Sequence, residues 1–310
     1  MINGILNIFK PIGISSFKAV KEVRKILNVK KVGHTGTLDP NASGILLICL
    51  GQSTKITRFI MDFKKHYQGE MVLGITTDSQ DSEGKIVKRL IVNQEINKNR
   101  IEKTFKKYTG IISQKPPMYS AIQHNGKRLY KLARKGIEVK RKSKTISIYQ
   151  LSLLNFYQAP NPIIKFKVIC SKGTYVRTLC DDIGKDLGCG AYMSGLTRVK
   201  VGKYGIDDSL TLEELKKDRD LAKEKIISMD DILDSFKQIT VKNGFEDIVF
   251  HGGFISKKHI LNEKEIRIDK SGQMVKVKNI KGELLSIAKK ALNDKEEIIF
   301  KPVRVFNFNN

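Results

Sequence analysis

Apolar residues recur along this chain in two rhythms, and their succession predicts a mixed fold. Gly4 to Ile8 reads as a strand, ended by the turn Lys10-Pro11-Ile12-Gly13. Phe17, Val20, Val23 and Leu27 then follow the helical period, with Ser15 or Ser16 placed to cap. Ile45 to Leu50 is an unbroken apolar run, the pattern of a buried strand, and Ser53 is placed to cap a helix with Ile56, Phe59 and Ile60 on one face. Tyr67 to Ile75 reads as a strand that ends in Asp78-Ser79-Gln80-Asp81-Ser82-Glu83-Gly84, which is turn chemistry. Residues 94–108 form an amphipathic helix with a stop at Gly110, and 127–135 read as a helix ending at Gly136. Strands follow over 145–156 and 163–170, then a helix over 174–187 with Gly188 beyond its end. Thr211-Leu212-Glu213-Glu214 is a capping box that opens another helix.

Strands and helices mix here without strict βαβ alternation, so the expected class is α+β with a mostly antiparallel sheet. The texture changes after Phe236. Short alternating stretches such as Met274 to Lys278 and Leu284 to Ala288 are broken by Gly252-Gly253, Gly272 and Gly282. A large domain over 1–236 and a small β-rich one over 237–310 are the expected division.

Charge sharpens this picture. The 310 residues carry 57 Lys and Arg against 32 Asp and Glu, a formal charge of +25, which favours a polyanionic partner. No apolar run approaches the length of a membrane span, and Met1 to Lys10 lacks a signal-peptide cleavage site, so a cytoplasmic protein with no membrane partner is expected. Cys49, Cys170, Cys180 and Cys189 form no Cys-x-x-Cys pair, and the five histidines are scattered; buried thiols are expected rather than metal ligands. Gly44 to Ser53 lacks the Gly-Lys-Ser/Thr of a phosphate loop, so no nucleotide cofactor is implied.

Candidate chemistry concentrates in Gly33-His34-Thr35-Gly36-Thr37-Leu38-Asp39-Pro40, followed by Asn41-Ala42-Ser43-Gly44. Asp39 precedes a proline, which pushes its backbone out of the helical region. Its carboxylate can cap a helix, bind a cation, or act as base or nucleophile. Arg177 falls in the first turn of the 174–187 helix, where the helix dipole favours acids. Turned inward and paired with Asp39, it would keep that carboxylate ionised. Tyr67, after Lys64-Lys65-His66, is either a core tyrosine or a platform for a base. The run Lys127, Arg128, Lys131, Arg134, Lys135, Lys140, Arg141, Lys142 and Lys144 is opposed only by Glu138 and interleaves Leu129, Tyr130 and Leu132, a pattern suited to phosphate contact.

The Gly33–Pro40 segment with Ala42-Ser43-Gly44 closely resembles the signature of the TruB-type tRNA pseudouridine synthases. Further similar motifs follow in order: Lys10-Pro11-Ile12-Gly13-Ile14-Ser15-Ser16, Lys65-His66-Tyr67, Leu73-Gly74 with Thr77-Asp78 and Asp81, and Pro116-Pro117-Met118-Tyr119-Ser120-Ala121. Gly126 with Leu129-Tyr130 and Ala133-Arg134-Lys135-Gly136, Gly173-Thr174-Tyr175-Val176-Arg177 and Leu196-Thr197-Arg198 complete the set. The resemblance implies the pseudouridine synthase fold with a C-terminal RNA-binding module of the PUA type. It implies isomerisation of uridine 55 in the T-loop of tRNA, with no metal or organic cofactor. Asp39 would be the catalytic aspartate, by attack on the nucleotide or removal of a ribose proton, with Arg177 as its partner and Tyr67 stacked on the uracil. Lys65, Tyr175 and Leu196 would belong to the substrate pocket. A base inside a folded loop must be flipped out to be reached, and His34 would fill the vacated space. The basic run would clasp the RNA backbone through Lys127, Arg128, Lys131, Arg134, Lys140, Arg141 and Lys142. A monomer acting on the tRNA T-arm is expected; that the chain starts directly at the catalytic part favours an enzyme that needs no protein partner. A guide-RNA-dependent synthase and a non-catalytic tRNA chaperone are the alternatives.

Overall fold

The computed structural model describes residues 2–93, 95–261 and 272–307. Ten strands form one mixed, mostly antiparallel sheet. Its main path runs Leu210–Thr211, Gly4–Lys10, Ser43–Leu50, Ala191–Val201, Lys65–Leu73, Ile163–Cys170, Lys144–Tyr157 and Gly110–Gln114. The short strand Val32–His34 pairs with Ser43–Leu50. Ser43–Leu50 meets Ala191–Val201 in parallel through Thr197 and Arg198, and that junction positions the site.

Ser43–Leu50 is buried along its whole length because both of its faces are covered, as an unbroken apolar run demands. Leu46, Ile48 and Leu50 pack on Ala19, Val20, Val23 and Ile26 of the first helix, Ser16–Leu27. Ile45, Leu47 and Cys49 instead join Ile5, Met229 and Ile232. In the other half of the sheet, Met71, Ile164, Phe166 and Val168 pack on Ile101 and Phe105 of the Lys98–Lys107 helix and on Leu179 and Ile183 of the Val176–Asp186 helix. All four cysteines are buried and unbridged. No helix among the described residues is long and apolar enough to cross a membrane.

A second sheet of five strands, Lys237–Thr240, Met274–Lys278, Leu284–Leu292, Ile298–Val305 and Ile255–Ser256, encloses its own core of Ile239, Val249, Val275, Val277, Ala288 and Phe300. The β-rich reading of this part therefore holds, while 262–271 and 308–310 lie outside the described residues. Leu284, Ile287 and Phe306 reach across to the cluster of Ile5 and Ile45. Asp230 bridges the same junction, 2.7 Å from Lys276 Nζ and 2.6 Å from Lys278 Nζ, with both lysines buried.

Several element boundaries differ from the sequence reading for local reasons. Ser53 does not cap a helix: it lies inside the 3-10 turn Gly51–Ile56, where its hydroxyl accepts from Leu50 N–H (2.8 Å) and donates to Gly4 C=O (2.6 Å). The helix expected over 94–108 begins at Lys98, because the Asn97 side chain caps it by accepting from Arg100 N–H. Over 127–135 only Leu129–Ala133 is helical. Asn125 and Gly126, with φ of 48° and 75°, form a tight hairpin turn that draws Lys127 and Arg128 into a strand against Gln123–His124. The helix expected from Thr174 starts at Val176: Tyr175 is its extended N-cap, whose C=O accepts from Leu179 N–H and whose N–H is held by Gln114 Oε1.

Candidate active site

The Asp39 loop is held from beneath by backbone and buried side chains. Ser16 Oγ bonds both the N–H and the C=O of Leu38, each at 2.8 Å. Gly13 N–H donates to Pro40 C=O, and Lys10 Nζ donates to Pro11 C=O and Ile14 C=O at 2.8 Å. The lysine is fully buried, and burial pulls its pKa down to about 8, against the raising effect of Asp39. Gly44 closes the loop at φ +109°, and a Cβ there would stand 2.2 Å from the Arg198 carbonyl oxygen, so the parallel junction admits only glycine.

Asp39 projects from this loop with its side chain 38% exposed. Arg177 Nε meets its Oδ2 at 2.9 Å. The arginine is only 6% exposed, and its other nitrogens bond Ser79 C=O (2.9 Å), Tyr119 C=O (2.8 Å) and the Asp81 carboxylate (3.2 Å). Asp81 is itself buried and accepts from Ser79 Oγ and Glu83 N–H. The Val176–Asp186 helix is tied to the same turn, because Thr178 Oγ1 donates to Gln80 Oε1 and Gln80 Nε2 to Asp181. The sequence reading of an inward Arg177 beside Asp39 matches this geometry.

Tyr67 and Arg198 are cross-strand partners, and Leu196 lies opposite Gly69 two residues away on the same face. Arg198 is 2% exposed, and its guanidinium donates to Ile45 C=O (2.6 Å) and Gly36 C=O (3.0 Å). Burial pushes the Tyr67 phenol up and the Arg198 charge pulls against it. Tyr67, Leu38 and Ala42 belong to one apolar cluster, with Leu196 packed on its edge. Tyr175 is half-buried, its phenol raised by burial, and it lies within the field of both Arg177 and Asp39. His34 ends the strand Val32–His34, and its Nδ1 accepts from Gly36 N–H at 3.3 Å. Burial and then Arg198 lower its pKa, so the ring stands neutral.

Two of the expected contacts are engaged within the protein. Lys65 is 5% exposed, its ammonium donates to the carbonyls of Met61 and Phe63, and burial lowers its pKa to about 8. Arg141 is not a free cation of the basic arm, since it pairs with Glu138 at 2.8 Å and donates to Pro116 C=O. Lys127, Arg128, Lys131, Arg134, Lys140 and Lys142 are exposed on that arm. The arm is anchored by buried Leu129, whose N–H bonds Ile122 C=O, and through Tyr119, whose carbonyl rests on Arg177 and whose hydroxyl meets Asp78 at 3.2 Å. Lys10, Asp81 and Arg198 entered the sequence reading only as parts of motifs. A charged residue set within an apolar strand, as Arg198 is between Leu196 and Val201, was the available sign of a buried role.

The comparisons with known proteins bear on this site. The family model described as TruB family pseudouridylate synthase (N terminal domain) matches residues 24–176, and that described as tRNA pseudouridylate synthase B C-terminal domain matches 177–238. A tRNA pseudouridine synthase B of Clostridium acetobutylicum is 48% identical over 263 residues, 84% of this chain and 88% of that protein. Its namesake from Pelotomaculum thermopropionicum is 40% identical over 311 residues, covering 98% and 97%. Among solved structures, the crystal structure of a Cbf5-Nop10-Gar1 complex superposes with a TM-score of 0.73 at 26% identity, over 98% of this chain and 85% of that one. An H/ACA RNP bound to a substrate RNA containing 2′-deoxyuridine shares the fold, with a TM-score of 0.70 at 23% identity over 98% and 85%.

Proposed function

The chain belongs to the TruB family of pseudouridylate synthases, and from that membership we propose that it converts uridine 55 in the T-loop of tRNA to pseudouridine with Asp39 as the catalytic carboxylate. Pseudouridylation of tRNA, an isomerisation, follows from the family and its relatives. The N1–C1′ bond breaks, a C5–C1′ bond forms, and one proton passes from C5 to N1, so the formula is unchanged.

The observation that carries the reading is the half-exposed carboxylate of Asp39 beside an arginine that is itself buried and held on every side. An ionised carboxylate serves equally as a nucleophile at C1′ or as a base at the ribose. Tyr67 offers its ring to the uracil, with Leu196 and Tyr175 as further walls that keep the detached base in place. His34, neutral and at the rim, fits the space that the flipped nucleotide leaves. Lys127, Arg128, Lys131, Arg134, Lys140 and Lys142 bind the RNA backbone. The catalytic part spans 1–236, and 237–310 is an RNA-binding module of the PUA type, supported by its separate apolar core. The enzyme acts as a monomer in the cytoplasm without a guide RNA or protein partner.

The test is to incubate the purified protein alone with an unmodified tRNA transcript and map pseudouridine. Conversion at position 55 is expected; its absence overturns the stand-alone reading, and conversion at another position overturns the assignment of the target.

A further inference from the structure

The first helix, Ser16–Leu27, carries Lys18, Lys21, Arg24 and Lys25 on its exposed face, and Lys30 and Lys31 follow its left-handed cap at Asn28. Its one acid, Glu22, is engaged by Lys216 at 3.3 Å. None of the six cations has an ion-pair partner among the described residues. A helix dipole favours acids near its N-terminus and cations near its C-terminus; Arg24 and Lys25 lie in the last turn, but the first turn has no acid and carries Lys18, and Lys21 stands at mid-helix. The helix dipole gains nothing from Lys18 and Lys21, which points to a partner outside the helix.

Two apolar side chains stand beside them. Ile12 is 66% exposed and Phe17 64% exposed, with Lys21 Nζ 4.8 Å from the Phe17 ring centroid. An exposed aromatic ring among cations is the chemistry that stacks a nucleobase and neutralises its phosphates. The location is equally specific. Ser16 is bonded to Leu38 and Gly13 to Pro40, so Ile12 and Phe17 stand at the lip of the Asp39 loop. From there the helix extends about 18 Å at 1.5 Å per residue. Beyond its far end the field of Lys31 reaches Lys55, whose Nζ donates to Val305 C=O on the C-terminal sheet.

We propose that this face of the first helix is a second RNA track, on which the strand leading away from the flipped uridine lays its phosphates along Lys18, Lys21 and Lys25 and stacks one base on Phe17. Lys18, Lys21 and Lys25 form one stripe at three- and four-residue spacing. The track rests on the reading of the chain as an RNA-modifying enzyme, but it is separate from the basic arm at 127–142 and from the pocket.

The test compares binding of a full-length tRNA transcript by wild type, by a variant with Lys18, Lys21, Arg24 and Lys25 all changed to Ala, and by a control with Lys98, Lys103, Lys106 and Lys107 changed to Ala. The track variant is expected to bind about 10- to 100-fold more weakly at low salt, with the slope of log affinity against log salt shallower by about 3. Its kcat at saturating tRNA stays within about twofold of wild type, as expected for ground-state binding alone. Phe17→Ala is expected to weaken binding about tenfold with the salt slope unchanged. Equal affinity and slope for wild type and the track variant, or an equal loss in the control, overturns the proposal. Absence of pseudouridine with wild type overturns the proposed function instead, and the binding comparison still decides the track.

Discussion

Arg177 Nε and Asp39 Oδ2 lie 2.9 Å apart, and the two partners are held very unequally. The guanidinium is enclosed and bonded to Ser79, Tyr119 and Asp81, whereas the carboxylate is more than a third exposed. The arginine therefore sets the geometry and the aspartate presents itself. An exposed ion pair of ordinary surface residues is loose and contributes little; anchoring one partner removes most of that freedom.

Asp39→Asn keeps the shape and a hydrogen-bond acceptor for Arg177 but removes the charge. Conversion, followed by tritium release from uracil-C5-labelled tRNA, is expected to fall by about 10³-fold or more. tRNA affinity and the unfolding midpoint should stay close to wild type. Conversion at the normal rate would show that another group does the chemistry.

Arg177→Met leaves Asp81 buried beside Asp39 with no cation between them. A stability loss of about 3–5 kcal/mol is expected from the stranded buried carboxylate. Arg177→Lys restores the charge without the planar fork, so it should recover much of the stability and little of kcat. Urea unfolding and single-turnover kinetics on the two variants separate these effects; equal recovery of both would mean that charge alone matters.

Much of this site was legible along the chain because its parts are local. The glycines and the proline around Asp39 mark a constrained loop, and Arg177 at the wrong end of a helix dipole marks a residue turned inward. The surroundings of Lys65 were not legible because they depend on tertiary closure: only the turn after Met61 brings the Met61 and Phe63 carbonyls onto its ammonium. Arg198 and Asp81 were hidden for the same reason. Their partners Gly36, Ile45 and Arg177 are distant in sequence, and no spacing rule joins them.

Lys65→Met should leave the KM for tRNA nearly unchanged and alter how stability depends on pH. The folded lysine has a pKa of about 8, below its ordinary value of 10.5. Below about pH 8 both folded and unfolded states carry the proton and the burial penalty is fully present. Between about 8 and 10.5 the unfolded state binds more protons, so wild-type stability rises with pH relative to the variant, by about 3 kcal/mol in all. Denaturant titrations at both ends of that window check this, and a constant difference would refute it.

Asp230→Ala strands Lys276 and Lys278 at the junction with the C-terminal sheet. Burial pushes the Asp230 carboxyl up, but the two lysines outweigh it and hold it below its ordinary value. The stabilisation is thus present above the unfolded carboxyl pKa and lost as pH falls through the folded one. At neutral pH the variant should lose about 1–2 kcal/mol, less than for a fully buried pair because Asp230 is 38% exposed. Limited proteolysis of the segment after Phe236 should quicken, and the gap from wild type should close in acid.

The apolar cluster that joins Ile5 and Ile45 to Leu284, Ile287 and Phe306 has a consequence for how the protein is made. The strands bearing Ile5 and Ile45 leave the ribosome first; Ile56, Ile60, Met229 and Ile232 cover part of one face of their sheet, and the cover is complete only when the segment around Phe306 emerges. At roughly 5–20 residues per second that interval is about 10–50 s. During synthesis the nascent chain carries the part of this apolar surface that Leu284, Ile287 and Phe306 later cover, and a chain cut short before the C-terminal sheet would keep that part open and prone to aggregation.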